Sequence, residues 1–342
     1  MINVYVFGLA LIIALLLTPL AKAIAQKYKI VDLPGERKIH ANPISLTGGI
    51  AVYASFAVTL LLFLGFNHKS LAVLLVGLAF ILFGFLDDMG IKMRARYKIS
   101  AHLVFAFVFV WLSGFSFNFL HITLLNWLLT VGFITFMTNS INMLDGMDGL
   151  VSGIAFLAAG FFAILAFNSG QRDLLLISLV LMGALLGFLR YNFNPASIFL
   201  GETGSTFIGF MLAVMAIKID IYGLWNVALS LGVERLQFIS FIVPLIILGI
   251  PIFDTYFVFS NRFLHHLKFS QPGKDHSHHR IHLMGFSQKA TVLTLYAIQC
   301  VLGAIALALV NADLMQFWAL LTIVAIFFVS FTAFLLRVKV YS

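Results

Sequence analysis

Eleven apolar stretches run through this chain, at about 3–25, 44–66, 70–88, 99–118, 121–140, 150–168, 172–190, 203–219, 237–260, 290–310 and 314–336. Each approaches the ~20 residues that a helix needs to cross a hydrocarbon core. Backbone groups inside lipid find no water to bond, so such segments must form helices that satisfy themselves. Charged residues make up 10% of the chain, against roughly 25% in ordinary soluble domains. The sequence therefore reads as an all-α polytopic membrane protein of 10–11 transmembrane helices, in a single domain over 1–342. The first run, Val4 to Ala25, is longer than a signal-peptide core and lacks a basic leader, so it is read as a retained helix. The single cysteine, Cys300, lies in an apolar run and excludes a disulfide framework or a cysteine-based metal site.

Lys and Arg collect on the cytoplasmic side of membrane proteins. An outer N-terminus and a cytoplasmic C-terminus put 17 of the 21 basic residues inside, leaving Lys69, Arg172, Lys218 and Arg235 outside. The net charge of +8 then reflects topology and anionic partners at one face, and nucleic-acid binding has no support in so apolar a chain. The same topology brings Asp32, Glu36, Asp87, Asp88, Asp145, Asp148, Glu202, Asp254 and Asp275 to the inner face. Attraction to anionic lipid explains the bases but not these acids, whereas a mixed surface suits metal-assisted phosphate chemistry. The candidate active-site loops are 26–43, 87–98, 140–150, 190–203 and 261–289.

In the first loop, Pro34, Gly35 and Pro43 stop the helix, while Arg37, Lys38 and His40 offer donors to phosphates or simply fix topology. Asp87 and Asp88 end an apolar run as adjacent carboxylates, which repel unless one is protonated or a cation is held. In NSINMLDGMDGL, Asn142, Asp145 and Asp148 are spaced by three, so a helical turn projects them to one side. Glu202 in FLGETGS serves either as a ligand or, with Thr203 and Ser205, as a helix N-cap cluster. The segment PGKDHSHHRIHL lacks cysteine and zinc-type spacing. Its His276, His278, His279 and Arg280 read better as clamps for diphosphate oxygens than as zinc ligands.

Taken in order, the RKxH segment, the Asp-Asp pair, NxxDGxDGL, YNxxPAxxFLGxxGS, PIFDT and HxHHR resemble the polyprenyl-phosphate N-acetylhexosamine-1-phosphate transferases over about 31–290. The HSHHR form is similar to the N-acetylglucosamine branch rather than the muramoyl-pentapeptide branch. The resemblance implies a UDP-N-acetylhexosamine donor, an undecaprenyl or other polyprenyl phosphate acceptor, UMP release, and a lipid diphosphosugar that starts cell-envelope glycan synthesis. It also implies a multi-pass protein of the plasma (inner) membrane with a cytoplasmic active site and Mg²⁺, replaceable by Mn²⁺, and it admits a homodimer.

By the same resemblance Glu202 and Asn142 hold the metal, and Asp145 and Asp148 line the nucleotide and diphosphate pocket. Asn192 and Phe199 hold uracil, and His276, His278, His279 and Arg280 contact the phosphates. Asp87 and Asp88 orient or deprotonate the lipid phosphate, or help with the metal. The family's residue at position 202 is normally Asp, and Glu moves the carboxylate by one methylene. Two other readings are a secondary transporter, whose acids should lie at the bilayer midplane, and a CDP-alcohol phosphatidyltransferase. The latter needs further charge after its DxxDG element, and Val151 to Asn168 carries none.

Overall fold

The computed structural model describes residues 2–34, 42–91, 93–269 and 273–340; Arg37, Lys38 and His40 lie outside the described residues. The long helices are α1 Ile2–Lys27, α2 Gly48–Leu64, α3 His68–Asp88, α4 Ala95–Ser113, α5 Thr123–Leu144, α6 Leu150–Asn168, α7 Arg172–Asn192 and α8 Gly201–Lys218. Short α9 Trp225–Ser230, α10 Leu236–Ser240 and α11 Ile242–Ile247 lead to α12 Gly249–Leu264, the seven-residue α13 Ser277–Leu283, then α14 Gln288–Leu309 and α15 Leu314–Leu335. Among the described residues eight helices are long and apolar enough to cross a membrane, two bent pairs qualify together, and α2 is a shorter apolar helix. The protein is thus a multi-pass membrane protein. Its one departure from an all-α fold among the described residues is a two-residue ribbon, Val31–Asp32 against Ile44–Ser45, which Ser45 extends to Ile198.

The stretch expected as one span over 237–260 is instead broken, with α12 bent by 83° from the segment before it. Pro251 is the cause. A straight helix needs its N–H to bond the Ile247 carbonyl, and proline has none. That carbonyl accepts from the Nε2 of buried Gln299 at 2.7 Å, which replaces the bond that proline cannot make.

Helix α8 forms the centre of the bundle. Every residue from Thr203 to Ile217 is buried, which suits a helix that is apolar all round. It packs against α2, α3, α5 and α6, while α4 and α15 present most of their surface outward. Helices α1, α3, α5 and α7 arrive at one end of the bundle with their C-termini, and α2, α6 and α8 begin there. The acidic loops therefore converge at that end.

Candidate active site

A cavity of about 780 Å³ opens at this end, with Asp32, Asp87, Asp88, Asp145, Asp148 and Glu202 on its wall. Asn142, Asn192, Phe199 and His279 line it too, with Lys22 the one lysine or arginine there among the described residues.

Asp88, the last residue of α3, reaches across to the start of α8. Its carboxylate accepts the backbone N–H groups of Glu202 at 3.0 Å and Thr203 at 2.9 Å, and the Thr203 hydroxyl at 2.5 Å. No side chain of α8's own N-terminus caps it, so Asp88 supplies from outside the acceptor that orphan N–H groups require. Gly201 permits this approach: its φ of 74° suits glycine, and a Cβ would collide with the Asp88 carboxylate. The alternative reading of Glu202, Thr203 and Ser205 as an N-cap cluster is thus set aside, because the cap comes from Asp88. Asp87 meets Lys98 of α4 at 2.9 Å, and the same ammonium lies 2.5 Å from Glu202. Lys98, counted from the sequence only as a topology determinant, is in fact shared between two cavity carboxylates.

The loop between α5 and α6 presents the next acids. Asn142 donates to Ser205 of α8 at 2.9 Å. Asp148 accepts from the Asn194 amide at 2.9 Å and the Ala196 N–H at 3.0 Å, which ties this loop to the one after α7. Asp145 has no hydrogen-bond or ion-pair partner among the described residues, and its carboxylate faces the cavity. Lost hydration first, and then the charges of Asp88 and Asp148, push its pKa up to about 7. Asn192 lines the cavity, and its amide also ties the wall together, accepting from Gly149 N–H and the Ser152 hydroxyl and donating to the Ile198 carbonyl. In this arrangement it braces the wall on which Phe199 lies.

The histidine segment departs most from expectation. Of His276, His278, His279 and Arg280, only His279 reaches the cavity wall. Arg280 is 2% exposed and donates to the main-chain carbonyls of Asp275, Leu335 and Val338, so it anchors the end of α15 instead of clamping phosphate. His276 bonds the buried Asp254 carboxylate, and His278 is buried against Gly146. Helix α13 explains the change: positions 276 and 280 share one face by the i, i+4 rule, and that face turns inward. Burial alone lowers the His276 pKa, but Asp254 outweighs it and raises the net value. His278 and His279 lack such a partner, and burial keeps both rings neutral, His279 at about 4.

Magnesium keeps several waters and takes one or two protein carboxylates plus substrate phosphates. The oxygen-rich wall suits such an ion, with Asp145 open and Glu202 and Asn142 alongside. Among the described residues no three Asp, Glu, His or Cys side chains form a ready-made cage. A dication at Glu202 also meets competition from the Lys98 ammonium.

Residues 70–220 match glycosyl transferase family 4. The chain is 34% identical over 322 residues, 91% of its own length and 86% of the relative's, to a probable undecaprenyl-phosphate N-acetylglucosaminyl 1-phosphate transferase of Bacillus subtilis. It is 31% identical over 84% of its length to a decaprenyl-phosphate N-acetylglucosaminephosphotransferase of Mycobacterium leprae, which it covers to 78%. It is 32% identical over 73% of its length to a phospho-N-acetylmuramoyl-pentapeptide-transferase of a Geobacillus species, covered to 79%. The resemblance carried by the acidic loops is thereby established, and the chain belongs to the polyprenyl-phosphate N-acetylhexosamine-1-phosphate transferases of glycosyl transferase family 4.

Proposed function

We propose that this enzyme transfers N-acetylglucosamine 1-phosphate from UDP-N-acetylglucosamine to undecaprenyl phosphate, at the cytoplasmic face of the plasma membrane, with magnesium as cofactor. The acceptor and sugar follow the relatives that match along most of the chain. The observation that carries the reading is the unpartnered carboxylate of Asp145 on a wall with five further acids. A cavity lined by carboxylates leaves Asp145 open to a cation held with its phosphate substrate, and such a cation would offset the hydration that this carboxylate has lost.

In the reaction, an oxygen of the lipid phosphate attacks the sugar-bearing phosphorus. The bond from that phosphorus to the oxygen shared with the uridylyl phosphate breaks, and UMP leaves with that oxygen. Magnesium, when bound, offsets charge on the diphosphate and in the transition state. Glu202, Asn142 and Asp145 would hold it. Lys98 orients Asp87 and Glu202 between its two contacts, and Asp88 fixes the start of α8 from which Glu202 projects. His279, neutral and on the wall, donates a hydrogen bond to phosphate without adding charge. Lys22 places an ammonium beside the site. The test is UMP release by the purified protein with undecaprenyl phosphate and, in turn, UDP-N-acetylglucosamine, UDP-N-acetylgalactosamine and UDP-MurNAc-pentapeptide. UMP appearing without lipid acceptor overturns the proposal, and preference for the pentapeptide substrate reassigns the sugar.

A further inference from the structure

Asp254 is fully buried in α12, two turns before Arg262 on the same helix face. A buried carboxylate is expensive unless both oxygens are satisfied. Here Oδ2 accepts from His276 Nδ1 at 2.7 Å and Oδ1 from the Ser277 N–H at 2.7 Å. Helix α13 has no side-chain cap of its own, so Asp254 caps it from outside, as Asp88 caps α8. Arg262 then grips the neighbouring Asp275 through two bonds of 2.6 and 2.8 Å. One face of α12 therefore holds residues 275, 276 and 277 in a row.

The contact continues toward the cavity. The His276 ring stacks on His278 with centroids 5.4 Å apart, and His278 lies 4.2 Å from His279 on the wall. His278 is fully buried and makes no hydrogen bond among the described residues, so it acts by shape. It rests on Gly146, where any side chain would collide with its Nε2. Gly146 follows Asp145 and precedes Asp148 by two.

We infer that Asp254 is a positioning residue for the transfer reaction: through His276 and His278 it fixes the Asp145–Asp148 loop, and it sets His279 against the donor's phosphates. This rests on the transferase reading. Asp254→Asn keeps the volume and an acceptor for Ser277, but turns an amide toward His276. It should raise the KM for the UDP-sugar about tenfold and leave that for polyprenyl phosphate within about twofold. His276→Ala should do the same, and the double variant should lose no more than either single one, since the two act as a unit. If Asp254→Asn does not fold, Gly146→Ala presses on His278 from the opposite side and should give the same donor-selective loss.

Hydrogen–deuterium exchange of the ligand-free protein separates this inference from the reaction itself. Asp254→Asn, or His276→Ala in its place, should speed exchange in both 273–287 and 140–150. Faster exchange in 273–287 alone, a lower melting temperature with unchanged KM, or additive losses in the double variant overturn the positioning role. Absence of UMP release by the wild-type protein instead overturns the transferase reading and leaves the exchange result standing.

Discussion

The carboxylate of Asp88 and the backbone N–H of Glu202, 114 residues apart, are joined at 3.0 Å across the junction of α3 and α8. The adjacent Asp87 instead pairs with Lys98. Two neighbouring acids that look alike in sequence thus have different duties, one holding a helix end and one facing the site. Asp88→Asn should therefore cost about 1–2 kcal/mol, the range for losing a charged N-terminal cap, as well as activity. Asp87→Asn should lower turnover with little change in melting temperature. Thermal melts of both variants in detergent decide this; equal melting temperatures would show that the cap contributes nothing.

Glu202 reaches Lys98 with the extra methylene that sets it apart from the family's usual Asp. Glu202→Gln should abolish UMP release, because an amide is a far poorer partner for a hard dication than a carboxylate. Glu202→Asp should pull back from Lys98 and lower the magnesium concentration needed for half-maximal rate. A glutamine variant that stays active and merely melts earlier would move the metal to Asp145 and its neighbours.

Asp145 gives a pH signature. Its pKa in the folded protein is about 7, above the usual carboxylate range, so the native state binds the extra proton. Stability contributed by that proton is present at low pH and is lost as pH rises from about 4 to about 7. Magnesium-free protein should accordingly melt earlier at pH 8 than at pH 5.5. Asp145→Asn should flatten this slope and stabilise the protein at pH 8 while destroying activity. A slope unchanged in the variant assigns the titration to another group.

Arg280→Ala should loosen α15, whose terminal carbonyls it holds, and expose the C-terminal segment to protease, with little change in the KM for UDP-sugar. His279→Ala should do the reverse, weakening donor use at unchanged melting temperature. Should Arg280→Ala selectively raise the donor KM in a protein that melts normally, the anchoring role is wrong.

The contrast between these two residues shows what the sequence conveys. Helix-length apolar runs located the spans to within a few residues, as with 172–190 for α7 and 70–88 for α3, because lipid imposes a length and a composition. The acids were legible because carboxylates at membrane helix ends have few structural excuses. Partners were not: Lys98 meets Glu202 from 104 residues away, and no local pattern encodes that. Nor does a seven-residue polar helix such as α13 carry an apolar stripe to say which face turns in. So the sequence presents Arg280 as a phosphate clamp, and Asp254 inside PIFDT carries no local sign of its partner His276.

Lys22 offers the last test. It sits on α1 opposite the lipid-exposed ridge of Ile12, Leu16, Leu20 and Ile24, and its side chain points into the cavity without a hydrogen bond or ion pair among the described residues. Its carbonyl accepts from the Ser45 hydroxyl at 3.4 Å, which fixes the backbone there. An ammonium held this way, on a helix whose other face meets lipid, suits the phosphate of an acceptor that arrives from the bilayer. Lys22→Ala should raise the KM for polyprenyl phosphate about tenfold, with the donor KM unchanged, and Lys22→Arg should retain most activity. The wild-type acceptor KM should also rise with ionic strength more steeply than that of Lys22→Ala, since one screened charge pair has been removed. If the alanine variant shifts the donor KM instead, Lys22 serves the diphosphate, and the lipid phosphate is held by other groups on the wall.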